Sequence, residues 1–204
     1  MAKIKNEIVD IIENYQKYNI FPQKRILYLA SEIDIESGDE FGVGFSMSNM
    51  FIRNLNVLEY ISLDPITILL NTEGGDVAQG FAIYDAIKKS ECHVTIKVIG
   101  TCMSMGSVIL QAADERVASA NSSFMIHDGS SFSGGNSYES ENMAKFNSEM
   151  SRRADSIVYK AINNKRSLDK KPPLSRKTFD SLLLKSSWMF SERALELGLI
   201  DKIE

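Results

Sequence analysis

The residues best placed to do chemistry lie in Gly100-Thr-Cys-Met-Ser104-Met-Gly106-Ser107 and in the later run Phe124-Met-Ile-His127-Asp128. A serine hydroxyl is a weak nucleophile until a neighbouring base takes its proton, and imidazole is the usual base near neutral pH. The chain has two histidines. His93 stands at a strand start beside Glu91 and reads as solvent-facing, which leaves His127 as the candidate base. Ser104 is flanked by small residues, as a nucleophile on a tight strand-to-helix turn must be. The helix that starts there directs unpaired N–H groups and the positive end of its dipole toward the serine. The Met105 N–H is the natural donor to an oxyanion. The local pattern also fits plainer roles, an N-cap serine and a histidine that hydrogen-bonds at a strand end.

A second glycine site, Asn71-Thr-Glu-Gly74-Gly75-Asp76, follows the apolar run Ile66-Thr-Ile-Leu-Leu70. Paired glycines at the carboxyl end of a strand let the backbone come close to a ligand and aim an N–H at it. The site lacks the Lys-Ser/Thr ending and the glycine spacing of a phosphate loop. Both glycine sites fall at carboxyl ends of expected parallel strands, where open α/β sheets place their sites.

The elements that must hold these residues follow from periodicity. Ile4, Ile8, Ile11, Ile12 and Tyr15 predict an amphipathic helix over residues 3–18, ended by Asn19 and Pro22. Strands are expected over 25–30, 66–70, 92–99, 116–119, 124–127 and 199–203. Helices are expected over 46–61, 77–89, 103–113, 138–163, 175–185 and 192–197. Residues 36–44, glycine-rich and acidic, read as a loop. Alternating strands and helices predict a largely parallel sheet with crossover helices. In the 138–163 helix, Met143, Phe146, Met150, Ala154 and Ile157 make one apolar stripe, which can pack on its own core or meet another subunit.

The 204 residues suffice for one full core, and 44% hydrophobic and 25% charged residues are ordinary for a globular protein. A net charge of −4 without dense basic runs argues against nucleic acid as a partner. Two cysteines, Cys92 and Cys102, make neither a disulfide framework nor a metal site and fit a reducing compartment. Cys102 reads as a small buried residue. With neither an apolar run of membrane length nor a signal-peptide core, the expectation is a cytoplasmic protein without a membrane partner.

Taken in order, Asn71-Thr-Glu-Gly-Gly75, Ser104-Met105-Gly106, Met125-Ile-His127 and Ala194-Leu-Glu-Leu-Gly-Leu-Ile-Asp201 resemble the Clp protease proteolytic subunit (ClpP) family of self-compartmentalised serine peptidases. The likeness spans residues 66–129 and, more loosely, 138–203. It implies an α/β fold of the ClpP/crotonase type, with parallel sheet, crossover helices and a protruding handle helix. Residues 1–24 would be an N-terminal helical extension, and 25–204 a single peptidase domain with the handle over about 130–165. Ser104 becomes the nucleophile and His127 the general base, with the N–H groups of Gly75 and Met105 as the oxyanion hole. The edge strand for an extended substrate peptide falls on Ser130–Ser137, with Gly134 and Gly135. No metal or organic cofactor is implied. The implied partners are further copies in heptameric rings, stacked as a tetradecamer, and an AAA+ unfoldase.

The departures from the family carry information too. The family's aspartate, which orients the histidine, aligns without a gap from Asp201 onto Ser186. A serine there can accept or donate a hydrogen bond but brings no charge. Asp180, on the helix expected before Ser186, and Asp128, adjoining the base, are the carboxylates that could substitute. The amphipathic N-terminal helix and the glycine-rich 36–44 segment replace the family's apolar axial segment, and residues 163–177 look like an insertion. Two other classes of function fit part of the pattern. One is a ring subunit with impaired catalysis and a structural or regulatory role. The other is a crotonase-like acyl-CoA enzyme, against which stands the lack of a basic cluster for the CoA phosphates.

Overall fold

The longer strands and helices form where the apolar period of the chain is two or about 3.6, respectively. The computed structural model describes residues 11–33, 40–129 and 137–204. Residues 11–18 are helical (α1), and the strand pair β1 (Ile20–Phe21) and β2 (Ile26–Ala30) follows, separated by a 3-10 turn at Pro22–Lys24. Strands β3 (Glu32–Ile33) and β4 (Glu40–Phe41) pair antiparallel, so the acidic segment expected as a loop is in part a small hairpin. Next come α2 (Phe45–Ile61), β5 (Ile66–Thr72), α3 (Val77–Lys89) and β6 (Val94–Met103). Helix α4 (Met105–Leu110) leads into β7 (Glu115–Ala118) and β8 (Ser123–Ile126). The chain ends with α5 (Ser137–Leu168), α6 (Arg176–Leu184), β9 (Ser187–Phe190), α7 (Ser191–Leu197) and β10 (Lys202–Ile203).

The main sheet runs β1-β2-β5-β6-β7-β10, with β8 and β9 off this path, and its pairs are parallel except β1–β2 and β8–β9. The expected α/β architecture, with parallel sheet and crossover helices, is the one observed. Along β5, Ile66, Ile68 and Leu70 are fully buried, and the residues between them are only partly covered. Phe51, Leu55 and Leu58 of α2 and Ile83 and Ile87 of α3 join the same core. Each such side chain contributes about 1.5–3 kcal/mol by leaving water.

Strand β6 positions the chemistry. It pairs with β7 through Val98, then lets go and pairs with β8 from Thr101 to Met103. The switch coincides with a slip in the β5–β6 register between Leu70 and Thr72. Asn71 secures it: its side-chain oxygen accepts from the Thr101 N–H at 2.8 Å and from the Thr101 hydroxyl at 3.1 Å. Because β6 and β8 are parallel there, the residues just beyond their ends, Ser104 and His127, become neighbours. The sequence expectation ended this strand at Gly100. Pairing with β8 carries it further, and the helix after it is correspondingly shorter than expected.

Helix α5 has two characters. Ala154, Val158 and Ile162 in its second half are buried on the core. In its first half, Tyr138, Met143 and Phe146 are 80%, 46% and 61% exposed.

Candidate active site

Ser104 sits between β6 and α4 at φ 51°, ψ −119°, a backbone conformation that side chains rarely adopt. Such a residue costs of order 1–3 kcal/mol and persists only where its surroundings over-determine it. Here its N–H donates to the Met125 carbonyl at 2.9 Å, which ties the turn to β8. Three residues on, the Ser107 hydroxyl donates to the carbonyls of Cys102 at 3.0 Å and Met125 at 3.1 Å. The Ser104 Oγ is thereby set 2.8 Å from His127 Nε2. With Nε2 as acceptor, the hydroxyl donates to the imidazole, the arrangement by which a base can take a serine's proton.

The two glycines after β5 reach the same turn. A β-carbon on Gly74, at φ 100°, would lie 2.7 Å from the Ser104 Cβ and 2.9 Å from the Met105 nitrogen. A β-carbon on Gly75, at φ 147°, would lie 2.5 Å from the Val43 oxygen. Val43 bridges Gly75, donating its N–H to the Gly74 carbonyl and accepting from the Asp76 N–H, each at 2.7 Å. In a parallel bridge of this kind the N–H of Gly75 itself turns away from Val43. Met105 is the first residue of α4, so its N–H has no partner within the helix. With only six residues, α4 adds little dipole beyond these local N–H groups. The contribution of Val43, far away in sequence within a glycine-rich stretch, had no signal in the local pattern.

A small cavity of about 60 Å³ opens beside the pair, lined by Ser104, Met105 and Val108, by His127, Asp128 and Gly129, and by Ser151, Ala154, Asp155 and Val158 of α5. A larger cavity of about 480 Å³ lies between β2 and α2, lined by Leu27, Leu29, Met47 and Phe51. It holds neither Ser104 nor His127, both of which line the smaller cavity. Cys102 is completely buried, and burial pushes its thiol up to about 12, with the Ser107 hydroxyl pulling weakly the other way. It is an inert part of the core, as expected.

The family model described as Clp protease matches residues 11–204. The chain belongs to the Clp protease family. It is 31% identical, over 195 residues, to the ATP-dependent Clp protease proteolytic subunit of Deinococcus radiodurans, which covers 93% of this chain and 85% of the relative. The fold is that of a ClpP-like peptidase, and the match extends well upstream of the motifs that first suggested it.

Against the family pattern, the residues considered for orienting His127 are dispersed. Ser186, at φ 48°, is exposed at the start of β9, and its hydroxyl makes no hydrogen bond to His127 among the described residues. Asp180 is tied to Arg176 at 2.7 Å within α6. Asp128 lines the cavity but is exposed. Sequence reasoning overlooked Asp155, a partly buried carboxylate on the cavity wall. Burial, seconded by the negative charge of Asp128, pushes its carboxyl up to about 6, against the pull of Arg176 and with a further push from Asp180. Its place one residue after Ala154 and three before Val158, both buried, was the available signal. Gly134 and Gly135, expected to line a substrate strand, lie outside the described residues.

His93 faces Asp114 at 3.7 Å with both side chains about half exposed, in keeping with a surface role. Among the described residues no cluster of three or more metal-ligating side chains occurs, and no helix is long and apolar enough to cross a membrane.

Proposed function

We propose that the chain is a serine endopeptidase subunit that cleaves unfolded polypeptides or peptides inside an oligomeric chamber. The observation that carries this reading is the 2.8 Å contact between the Ser104 hydroxyl, on its strained turn, and His127 Nε2. As Ser104 Oγ attacks the scissile carbonyl carbon, the hydroxyl proton passes to His127. The new C–O bond makes a tetrahedral intermediate whose oxyanion is held by the N–H groups of Gly75 and Met105. Collapse breaks the C–N bond, and His127 returns its proton to the leaving amine. Water then repeats the sequence on the acyl-enzyme, with His127 again as base, and frees Ser104.

The substrate strand would pair in extended form along the segment containing Gly134 and Gly135. Residues 25–204 are taken as the peptidase domain, with 1–24 as an appended helix. Membership in the family supports heptameric rings, stacked through α5 as a tetradecamer, and an AAA+ unfoldase as feeder. The exposed Tyr138, Met143 and Phe146 suit such an interface. A cytoplasmic location agrees with this assembly.

A second reading, a ring subunit of structural or regulatory role, draws on Ser186, which aligns with the family's aspartate by resemblance and makes no hydrogen bond to the base. Hydrolysis of a fluorogenic peptide by the purified assembled protein separates the two. Activity lost in Ser104→Ala and in His127→Ala supports the peptidase. Assembled rings without Ser104-dependent hydrolysis support the structural subunit.

A further inference from the structure

Ser186, which aligns by the sequence resemblance with the family's aspartate, makes no hydrogen bond to the base, yet the cavity beside the base has a carboxylate of its own. We propose that Asp155, on α5, is the positioning residue for His127 and supplies from the handle helix the negative charge that Ser186 cannot. The inference rests on the peptidase reading above.

Three observations support it. First, Asp155 and His127 line one cavity of about 60 Å³. Asp155 and His127 form no ion pair or direct hydrogen bond with each other; a water needs about 10–15 Å³ of such space, so the cavity has room for one to bridge them. Second, Nε2 of His127 is committed to Ser104, so the remaining ring N–H is available to a carboxylate. Third, among the described residues none donates a hydrogen bond to Asp155, although it is partly buried and close to Asp128. Such a carboxylate is ionised at a cost, which falls when a positive charge forms nearby.

The imidazolium that appears as Ser104 attacks is such a charge. The attraction between the two is therefore stronger in the transition state than before it, and only interactions of that kind raise kcat. The charged groups acting on Asp155 are Asp128 from the loop after β8, and Arg176 and Asp180 from α6, while His127 shares its cavity. Asp128 keeps the Asp155 carboxylate from being satisfied at rest, and Arg176 is already occupied by Asp180. The Ala154–Val158–Ile162 seam fixes this part of α5 on the core, so the carboxylate is presented from a rigid element.

The test is steady-state hydrolysis of a fluorogenic peptide by the assembled protein, comparing parent, Asp155→Asn and Asp155→Glu from pH 5 to 9, with melting temperatures of each. We expect Asp155→Asn to lower kcat about a hundredfold or more at pH 7.5 with KM changed less than about threefold, less severe than the roughly ten-thousandfold loss when a charged triad loses its aspartate. Asp155→Glu should recover at least a tenth of the activity. The advantage of the parent over Asp155→Asn should shrink below about pH 6, where the parent's carboxyl is protonated too. The melting temperature of Asp155→Asn at pH 7.5 should equal or exceed the parent's, because a costly charge has gone, so that lost activity is not lost structure. A parent-like kcat in Asp155→Asn, or a loss independent of pH, overturns the inference while leaving the Ser104–His127 pair in place. If the assembled parent itself shows no Ser104-dependent hydrolysis, the peptidase reading fails and this inference fails with it.

Discussion

At the residue scale, the central fact is a serine held in a backbone conformation that suits glycine. The strain is maintained by the bond from the Ser104 N–H to β8 and by the two bonds from Ser107. Ser104→Ala keeps the β-carbon and the strain, whereas Ser104→Gly removes both. Chemical denaturation should therefore find Ser104→Gly more stable than Ser104→Ala by about 1 kcal/mol, the inverse of the order at an ordinary helix position. An equal or lower stability for the glycine variant would mean the turn is not strained. The glycines, the serine and the strand-end histidine were all readable in sequence, because a nucleophile turn demands small residues in a fixed order. Asp155 was not. A lone carboxylate just after two exposed arginines on a long helix looks like a solvated face, and only the packing of α5 on α4 and α6 turns it toward the cavity.

At the scale of elements, the long helices were legible because their apolar stripes run for several turns, and α3 begins and ends where the pattern does. Strand β9 was missed. Its Ser-Trp-Met-Phe run alternates, but Trp188 and Phe190 point outward, 63% and 64% exposed, so the strand exists through pairing with β8 rather than through an apolar face of its own. The extension of β6 past Gly100 was hidden for a similar reason, since a glycine normally punctuates a strand and here the partner strand overrides it.

The end of the chain is held by an ion pair. Arg116 on β7 donates to Asp201 through Nε at 3.0 Å and Nη2 at 2.6 Å, and it also meets Gln111 and the Gly198 carbonyl. Burial alone would raise the Asp201 carboxyl, but the Arg116 hydrogen bonds and charge hold it below the usual range. Asp201→Asn leaves a buried guanidinium without its counter-charge and should cost about 3 kcal/mol in urea unfolding at pH 7. A group whose pKa is lowered by folding stabilises above its unfolded value and loses that contribution as pH falls through the folded one. The gap between parent and variant should accordingly hold above about pH 4 and close below it. A gap of less than about 0.5 kcal/mol at pH 7 would show that the network is not what secures β10.

At the scale of the whole molecule, the contrast within α5 is informative. Its second half completes the core and borders the cavity, while its first half presents Tyr138, Met143 and Phe146 to solvent. The subunit interface proposed there would explain why apolar side chains are kept on a surface that contributes nothing to the fold of one chain. Replacing Met143 and Phe146 together by aspartate should leave the far-ultraviolet circular dichroism of the subunit unchanged and reduce the assembly to half its mass or less by native mass spectrometry. Full-size particles from that variant would remove α5 from the interface. Because α5 also carries Asp155, one helix would connect assembly with the setting of the base.

The most direct test of the account is intact-mass labelling of the assembled protein with a fluorophosphonate, beside Ser104→Ala and His127→Ala. The account predicts one adduct per subunit in the parent and none in either variant, because only a serine whose proton His127 can take attacks the phosphorus. An unlabelled parent, or an adduct that survives the loss of His127, would contradict it.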